Sequence, residues 1–164
     1  MSKLKVAILG ASGIGKNHAR WFHGHGCEVA AFLGSSPASI EKTGDTLRAG
    51  FPFDGRGYTE LDELLKTEKP DIVCVSNPPH LHYNQVMQCI DNGVHVLCEK
   101  PLVGYDEKPA QDIIDEANTL VERARQKGVL LGAQTQYATA TDTILEMAKV
   151  QPKTEAVTQW SMEM

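Results

Sequence analysis

The chain has 164 residues, 41% of them hydrophobic and 23% charged, a composition typical of a soluble globular domain. A net charge of −5 without any basic block argues against nucleic-acid binding, and no apolar run reaches the roughly 20 residues that span a bilayer. The opening MSKLKVAILG lacks the long apolar stretch of a signal peptide, so we expect a cytoplasmic protein.

Short apolar runs alternate with helical patterns along the chain. Five runs predict strands, namely KVAILG, EVAAFLG, DIVCVSN, GVHVLCEK and GVLLGAQ. Most are continuously apolar, which is typical of parallel strands buried on both faces. This alternation predicts an α/β, Rossmann-like fold with a doubly wound parallel sheet.

Five segments between and after these runs carry helix signals. The first follows KVAILG, and the second has Ser36 as a candidate N-cap with Pro37 at the first helical position. The third opens at Thr59, and the fourth ends at Asn92-Gly93, a good C-cap. The fifth ends at Gly128 and predicts one apolar stripe, formed by Ile113, Ile114, Ala117, Leu120, Val121 and Ala124.

The stretch ILGASGIGKN, between the first strand and the first helix, nearly matches two phosphate-binding motifs. The triphosphatase motif G-x-x-x-x-G-K-[ST] fails at Asn17, because a hydroxyl is needed there to hold Mg²⁺. An aspartate would also be expected at the end of a nearby strand, yet DIVCVSN ends in Ser76-Asn77. The triphosphatase reading is therefore disfavoured.

The dinucleotide motif G-x-G-x-x-G fits the same stretch better. Gly10 permits a tight turn after the strand, and Gly15 permits close packing of helix on strand. Ser12 replaces the middle glycine with a small donor, and Gly13 adds backbone freedom. A helix that starts near Ile14 would direct its first amide groups at a pyrophosphate. For this loop alone, a purely structural glycine turn is the alternative.

Other patterns predict no separate chemistry. The stretch GASGIG also resembles short-chain dehydrogenases, but no tyrosine is followed by a lysine four residues later. No C-x-x-C pair occurs, and Cys74 and Cys98 lie in predicted buried strands, so we expect free thiols. His80 and His82 lack a supporting carboxylate or cysteine cluster, so we predict no metal site.

Two later stretches carry a more specific signal. The segment VSNPPHLHYNQVMQCIDNGVHVLCEKPL, together with GIGKNHARW and YTELDELLKTEKPDIV, closely resembles the Gfo/Idh/MocA (glucose–fructose oxidoreductase / inositol dehydrogenase) family. The resemblance covers the chain from Lys5 to about residue 164. It implies hydride transfer between a nicotinamide cofactor and a sugar, polyol or related small molecule. A non-catalytic dinucleotide-binding or interaction module is the alternative.

The resemblance also assigns roles to the Glu-Lys-Pro stretch. It implies that Lys100 is the catalytic residue, beside the nicotinamide and the reacting oxygen of the substrate. It implies that Glu99 steadies Lys100 or contacts the cofactor, and that the Lys100-Pro101 bond is cis. For His18, which matches a family histidine on the first helix, we expect a packing or capping role.

The loop after DIVCVSN matches a second family motif, Thr/Asn-Pro-x-x-x-His. Asn77, Pro78 and His82 carry the match, and the resemblance implies that this loop borders the cofactor. Ser76 and Asn77 could hydrogen-bond its ribose or phosphate. Loops at the carboxyl ends of parallel strands are where ligands bind in open α/β sheets.

The end of the second strand bears on the choice between NAD and NADP. An acidic residue there would hold a ribose 2′-hydroxyl and repel a 2′-phosphate. The stretch FLGSSPAS has Ser35 and Ser36 instead, and Lys42 or Arg56 could add positive charge. We therefore predict NADP, with NAD as the alternative.

The last thirty residues have a different pattern. TATDTILEMAKV predicts a helix, and TEAVTQWSMEM alternates like a half-buried strand, which cannot form a stable sheet alone. We therefore predict a dinucleotide-binding Rossmann domain over 1–134. Over 135–164 we predict a linker helix and the first strand of a truncated C-terminal α+β domain, which continues elsewhere or is supplied by a partner. Family enzymes commonly pair through that second domain, so a homo-oligomer is an open expectation.

Overall fold

A single parallel sheet organises the protein, whose computed structural model describes residues 3–104 and 108–135. Its strands are β1 (Lys5–Leu9), β2 (Glu28–Leu33), β3 (Arg56–Tyr58), β4 (Ile72–Val75), β5 (His95–Cys98) and β6 (Leu131–Ala133). The spatial order is β3-β2-β1-β4-β5-β6, and every neighbouring pair is parallel. The predicted Rossmann-like fold is confirmed, and its strand order reverses between β1 and β4, where such folds bind ligands.

Five helices connect these strands, and their ends follow local sequence signals. They are α1 (Gly15–Gly24), α2 (Pro37–Gly50), α3 (Leu61–Glu68), α4 (His82–Asp91) and α5 (Ala110–Lys127), with a 3₁₀ turn over Pro79–Leu81 before α4. Ser36 caps α2 as predicted, because its hydroxyl accepts a hydrogen bond from the Ser39 N–H at 3.2 Å. Asn92 caps α4, and Gly128 ends α5 at a φ of 68°, both also as predicted.

The hydrophobic core has two layers, one on each face of the sheet. Along β1, Val6 and Ile8 enter one layer, whereas Ala7 and Leu9 enter the other. The first layer also contains buried residues of α1 and α2, and the second contains buried residues of α3, α4 and α5. The central strands β1 and β4 are buried on both faces as predicted, which fixes the position of the loops that follow them.

Three predicted details differ from the structure. The strand β3 was not predicted, because three residues that read Arg-Gly-Tyr contain no apolar run. Helix α3 has Glu60, not Thr59, as its N-cap. In the predicted stripe of α5, Ile114 and Val121 are exposed, and only Leu120 and Ala124 are fully buried. The edge strand β6 and its neighbour β5 are partly accessible, since they lie away from the centre of the sheet.

The described residues up to Gln134 belong to a compact unit over Met1–Gln134. The predicted linker helix and terminal strand lie outside the described residues, so the predicted domain division stays a prediction. None of the helices described is long and apolar enough to cross a membrane.

Candidate dinucleotide-binding site

The glycine loop after β1 turns sharply at Gly10, and Gly15 then packs against the Gly10 carbonyl. Gly10 has a φ of 86°, a region that favours glycine, and its N–H donates to the Leu33 carbonyl at 3.2 Å. A Cβ atom on Gly10 would overlap the side chain of Asn77 and lie 2.9 Å from its backbone nitrogen. A Cβ atom on Gly15 would lie 2.5 Å from the Gly10 carbonyl oxygen. The turn itself therefore requires both glycines.

The tip of this loop presents free backbone donors to solvent. Ser12, Gly13 and Ile14 are exposed, and no acceptor within residues 3–104 and 108–135 bonds their N–H groups. No side chain caps the start of α1, and its first turn carries no acidic residue. A Cβ atom on Gly13 would have nothing within 4 Å. Open amides at a helix N-terminus favour an anion, so the loop fits a pyrophosphate.

A groove of about 440 Å³ runs from this loop across the carboxyl ends of β2 and β4. Four predicted residues besides Gly10 line it, namely Ser12, Ser35, Asn77 and Pro78. Sequence reasoning missed Ser39, Thr43 and Thr59, whose hydroxyl-bearing side chains also line the groove. Ser39 and Thr43 are four residues apart in α2, a spacing that could have identified one face of the helix. No carboxylate belongs to the described lining.

The end of β2 supplies hydroxyl groups and a helix N-terminus rather than cationic side chains. Ser36 is committed to capping α2, so its side chain serves that helix and does not line the groove. Lys42 is not among the groove residues. Arg56 pairs with Ala31 at the start of β3 and lines a different groove. Positive potential at this end of the groove therefore comes from the first turn of α2.

The loop after β4 is held in place by its own side chains. The Asn77 amide donates to the Gln85 side-chain oxygen at 2.7 Å, which orients Asn77 along the groove. The Ser76 hydroxyl lies 3.5 Å from the Cys74 sulfur, and Ser76 is not among the groove residues. His82 is only 1% exposed and lies behind the loop, with each ring nitrogen 2.7 Å from a backbone carbonyl oxygen.

Lys100 follows β5 at the same edge of the sheet, and its side chain is exposed. The Glu99 carboxylate accepts a hydrogen bond from the Lys100 N–H at 3.2 Å and lies 2.7 Å from His18 Nε2. The Lys100-Pro101 bond is cis, as the resemblance implied. Glu99 is thus engaged with the chain itself, while the amine of Lys100 is accessible as a proton donor or acceptor.

The thiols near the site form no disulfide among the described residues and are weak nucleophiles near neutral pH. Burial raises the pKa of Cys74 to about 11 and that of Cys98 to about 12. Both therefore stay protonated near neutral pH. No group of three potential metal ligands occurs within the described part of the chain.

The strand order, the glycine loop and the exposed lysine at the end of β5 together define a dinucleotide-binding domain of an oxidoreductase. The model of the Gfo/Idh/MocA oxidoreductase family, described by its NAD-binding Rossmann fold, matches residues 4–135, and the chain belongs to this family. The resemblance found in the sequence is confirmed, and a non-catalytic module is not favoured.

Several known proteins are similar to this chain. An uncharacterized oxidoreductase of Schizosaccharomyces pombe is 38% identical over 141 residues, which cover 80% of this chain and 33% of that protein. The scyllo-inositol 2-dehydrogenase (NADP(+)) of Bacillus subtilis is 34% identical over 128 residues, which cover 78% of this chain and 32% of that protein. The chain therefore spans about a third of the length of these curated relatives.

Among solved structures, the WlbA dehydrogenase of Bordetella pertussis has the same fold. It was solved in complex with NADH and UDP-GlcNAcA, and the two structures match with a TM-score of 0.70 at 22% sequence identity. The match covers 90% of this chain and 39% of that chain. This likeness supports the Rossmann-like architecture described above.

Proposed function

We propose that this chain binds NADP and forms the cofactor-binding part of a dehydrogenase for a sugar, polyol or related small molecule. One observation carries the proposal: the glycine loop with its open backbone amides and the exposed Lys100 lie at the same edge of one sheet. The scyllo-inositol 2-dehydrogenase supports the substrate class. Cytoplasmic location and a homo-oligomeric assembly are parts of this proposal.

In this proposal, the loop residues hold the two phosphates. Amides of Ser12, Gly13 and Ile14 donate to the pyrophosphate, because they are exposed and have no acceptor among the described residues. Gly10 lets the chain turn close to Asn77 at the floor of the groove. Asn77 and Pro78 border the nicotinamide half, with Ser76 directly before them, since adenosine belongs on the β2 side of the strand-order reversal.

The choice of NADP rests on the adenosine end of the groove. Ser35, Ser39 and Thr43 line it, and no acidic side chain there would repel a 2′-phosphate. The first turn of α2 adds partial positive charge. Ser36 contributes by capping that turn rather than by direct contact. NAD is the alternative ligand.

The bound cofactor supplies the hydride acceptor or donor. In this proposal, Lys100 bonds the reacting oxygen of the substrate and moves its proton. Glu99 accepts the Lys100 N–H and is fixed by His18, which limits the freedom of the backbone at Lys100. His82 serves the site through backbone contacts, because its buried ring does not reach the groove lining.

Titrating the protein with NADPH and with NADH, followed by nicotinamide fluorescence, tests the proposal. We expect saturable binding of both and a lower dissociation constant for NADPH. The Lys100→Met variant should bind NADPH with unchanged affinity. In a preparation with dehydrogenase activity, that variant should lose turnover. Absence of binding to either cofactor would overturn the proposal, and tighter NADH binding would overturn the NADP preference.

A further inference from the structure

We propose that His82 is a positioning residue that fixes the loop after β4 against the segment around Lys100, and so shapes the nicotinamide end of the groove. This inference rests on the proposed function. It adds a role for a buried side chain that touches neither the groove nor, by its position, the cofactor.

The ring of His82 bridges the two loops directly. Its Nε2 lies 2.7 Å from the carbonyl oxygen of Asn77, in the loop after β4. Its Nδ1 lies 2.7 Å from the carbonyl oxygen of Pro101, immediately after Lys100. In the described residues, neither carbonyl has another protein donor. His82 therefore joins one residue predicted to border the cofactor with the neighbour of the predicted catalytic lysine.

The N–H groups of the His82 ring determine which of these contacts are hydrogen bonds. Carbonyl oxygens only accept hydrogen bonds, so each contact is a hydrogen bond when its ring nitrogen carries hydrogen. A neutral ring donates to one of the two carbonyls and lies against the other. An apolar ring at residue 82 would remove the ring donor from both carbonyls, and the loops would lose their link.

A second buried group reinforces the same segment. The Cys98 sulfur donates to the Glu99 carbonyl at 3.3 Å and lies 3.4 Å from His82 Nδ1. The carbonyl before Lys100, that of Glu99, therefore contacts the Cys98 thiol, and the carbonyl after it, that of Pro101, contacts the His82 imidazole. The exposed lysine between them is supported by a fixed backbone.

Three substitutions separate the two bonds. The His82→Phe variant keeps a ring and removes both donors. The amide nitrogen in His82→Asn stands at the same number of bonds from Cβ as Nδ1, so it can still bond Pro101. The amide nitrogen in His82→Gln corresponds in the same way to Nε2, so it can still bond Asn77. His95→Asn is the matched control, because His95 accepts from the Leu130 N–H at 3.0 Å at the amino end of β5, away from the groove.

The test compares NADPH with its adenosine fragment 2′,5′-ADP, and each variant is first shown to be folded by circular dichroism and a cooperative melt. We expect His82→Phe to weaken NADPH binding about tenfold, the loss expected when buried polar groups lose their donors. It should leave 2′,5′-ADP binding unchanged, because the fragment does not reach the nicotinamide end. At least one amide variant should recover most of the NADPH affinity, and His95→Asn should bind both ligands normally.

The outcomes distinguish this inference from the function on which it rests. If the wild-type protein binds neither NADPH nor NADH, both are overturned. If it binds NADPH and the folded His82 variants bind it equally well, only the positioning role is overturned. Equal weakening of NADPH and 2′,5′-ADP also overturns it, since that result indicates a general structural effect. If His82→Phe does not fold, at least one amide variant must bind NADPH more weakly than the wild type while binding 2′,5′-ADP normally, and normal NADPH binding by both amide variants then overturns the role.

Discussion

His18 Nε2 on α1 lies 2.7 Å from Glu99 Oε1 at the end of β5, and both side chains are largely buried. This contact joins the helix that begins at the glycine loop to the residue before Lys100. The other oxygen of Glu99 accepts the Lys100 N–H. Two distant parts of the candidate site therefore share one carboxylate.

We expect strong energetic coupling between His18 and Glu99. In a double-mutant cycle of His18→Phe and Glu99→Gln, each single change should lower the free energy of unfolding by about 1–3 kcal/mol. The double variant should lose clearly less free energy of unfolding than the sum of the two single losses, because the second change no longer leaves a buried group without its partner. Urea denaturation measures all four proteins. Strict additivity would contradict the prediction.

The exposed pair Asp45–Arg48 provides a control for that cycle. Its side chains are more than half exposed and lie at i,i+3 spacing on α2, with a nitrogen–oxygen distance of 2.8 Å. A cycle on this pair should give a coupling of at most about 0.5 kcal/mol, because water screens the charges.

Gly10 should be harder to replace than another glycine with the same backbone conformation. Gly10 has a φ of 86° and Gly26 a φ of 83°, but only Gly10 has protein atoms where a Cβ would stand. Each alanine variant should lose about 1–2 kcal/mol from the left-handed backbone. Gly10→Ala should lose more, because its Cβ meets Asn77. Equal losses in urea denaturation would show that the contact with Asn77 is unimportant.

Gly13 should matter for binding but not for folding. A Cβ on Gly13 or on Gly24 would have no neighbour within 4 Å, and neither residue has a positive φ. We expect both alanine variants to keep or slightly raise the melting temperature. Only Gly13→Ala should weaken NADPH binding, since its methyl group would stand where the pyrophosphate approaches. Normal NADPH affinity in Gly13→Ala would argue against a phosphate at this loop.

An acid at the end of β2 should shift cofactor preference. Ser35→Asp introduces a carboxylate into the groove, where it repels a 2′-phosphate and can accept from a ribose hydroxyl. We expect NADPH affinity to fall at least about tenfold, with NADH affinity kept or improved. Fluorescence titration gives both dissociation constants.

Ser36→Ala is the comparison for that change. This variant removes the cap of α2 and should cost about 1 kcal/mol of stability. Its ratio of NADPH to NADH affinity should change much less than that of Ser35→Asp. An unchanged ratio in Ser35→Asp would show that the 2′-phosphate lies elsewhere.

The rates at which the four cysteines are alkylated should follow the exposure of their thiols. Burial raises the pKa of Cys89 and of Cys98 to about 12 and that of Cys74 to about 11, so near pH 8 these groups are neutral thiols. Iodoacetamide at pH 8 should therefore modify the half-buried Cys27 first. Peptide mass spectrometry quantifies each site. Rapid modification of Cys98 in the folded protein would contradict its buried position behind Lys100.

Local signals predicted much of this fold. The five apolar runs are strands, and the caps at Ser36, Asn92 and Gly128 lie where expected, because capping depends on neighbouring residues. The strand β3 escaped prediction because it exists through pairing with β2. Gly57 then lets α2 pack closely on this strand, since a Cβ there would overlap the Ile40 side chain.

The site was only partly predictable for the same reason. The loop glycines were evident from their spacing, whereas Thr59 was read as a helix start and instead lines the groove. The motif that contains His82 could be seen in the sequence, but its two carbonyl partners come from separate loops. Which side chains face a ligand and which hold the backbone depends on tertiary contacts.

The contact between Gly10 and Asn77 also has a consequence for the order of folding. The turn at Gly10 closes against a residue far along the chain, so β4 must pair with β1 before the loop acquires its final shape. A dinucleotide that recognises this shape can bind only after that pairing has formed. Such a ligand should therefore raise the free energy of unfolding, because it binds only the chain in which this pairing has formed.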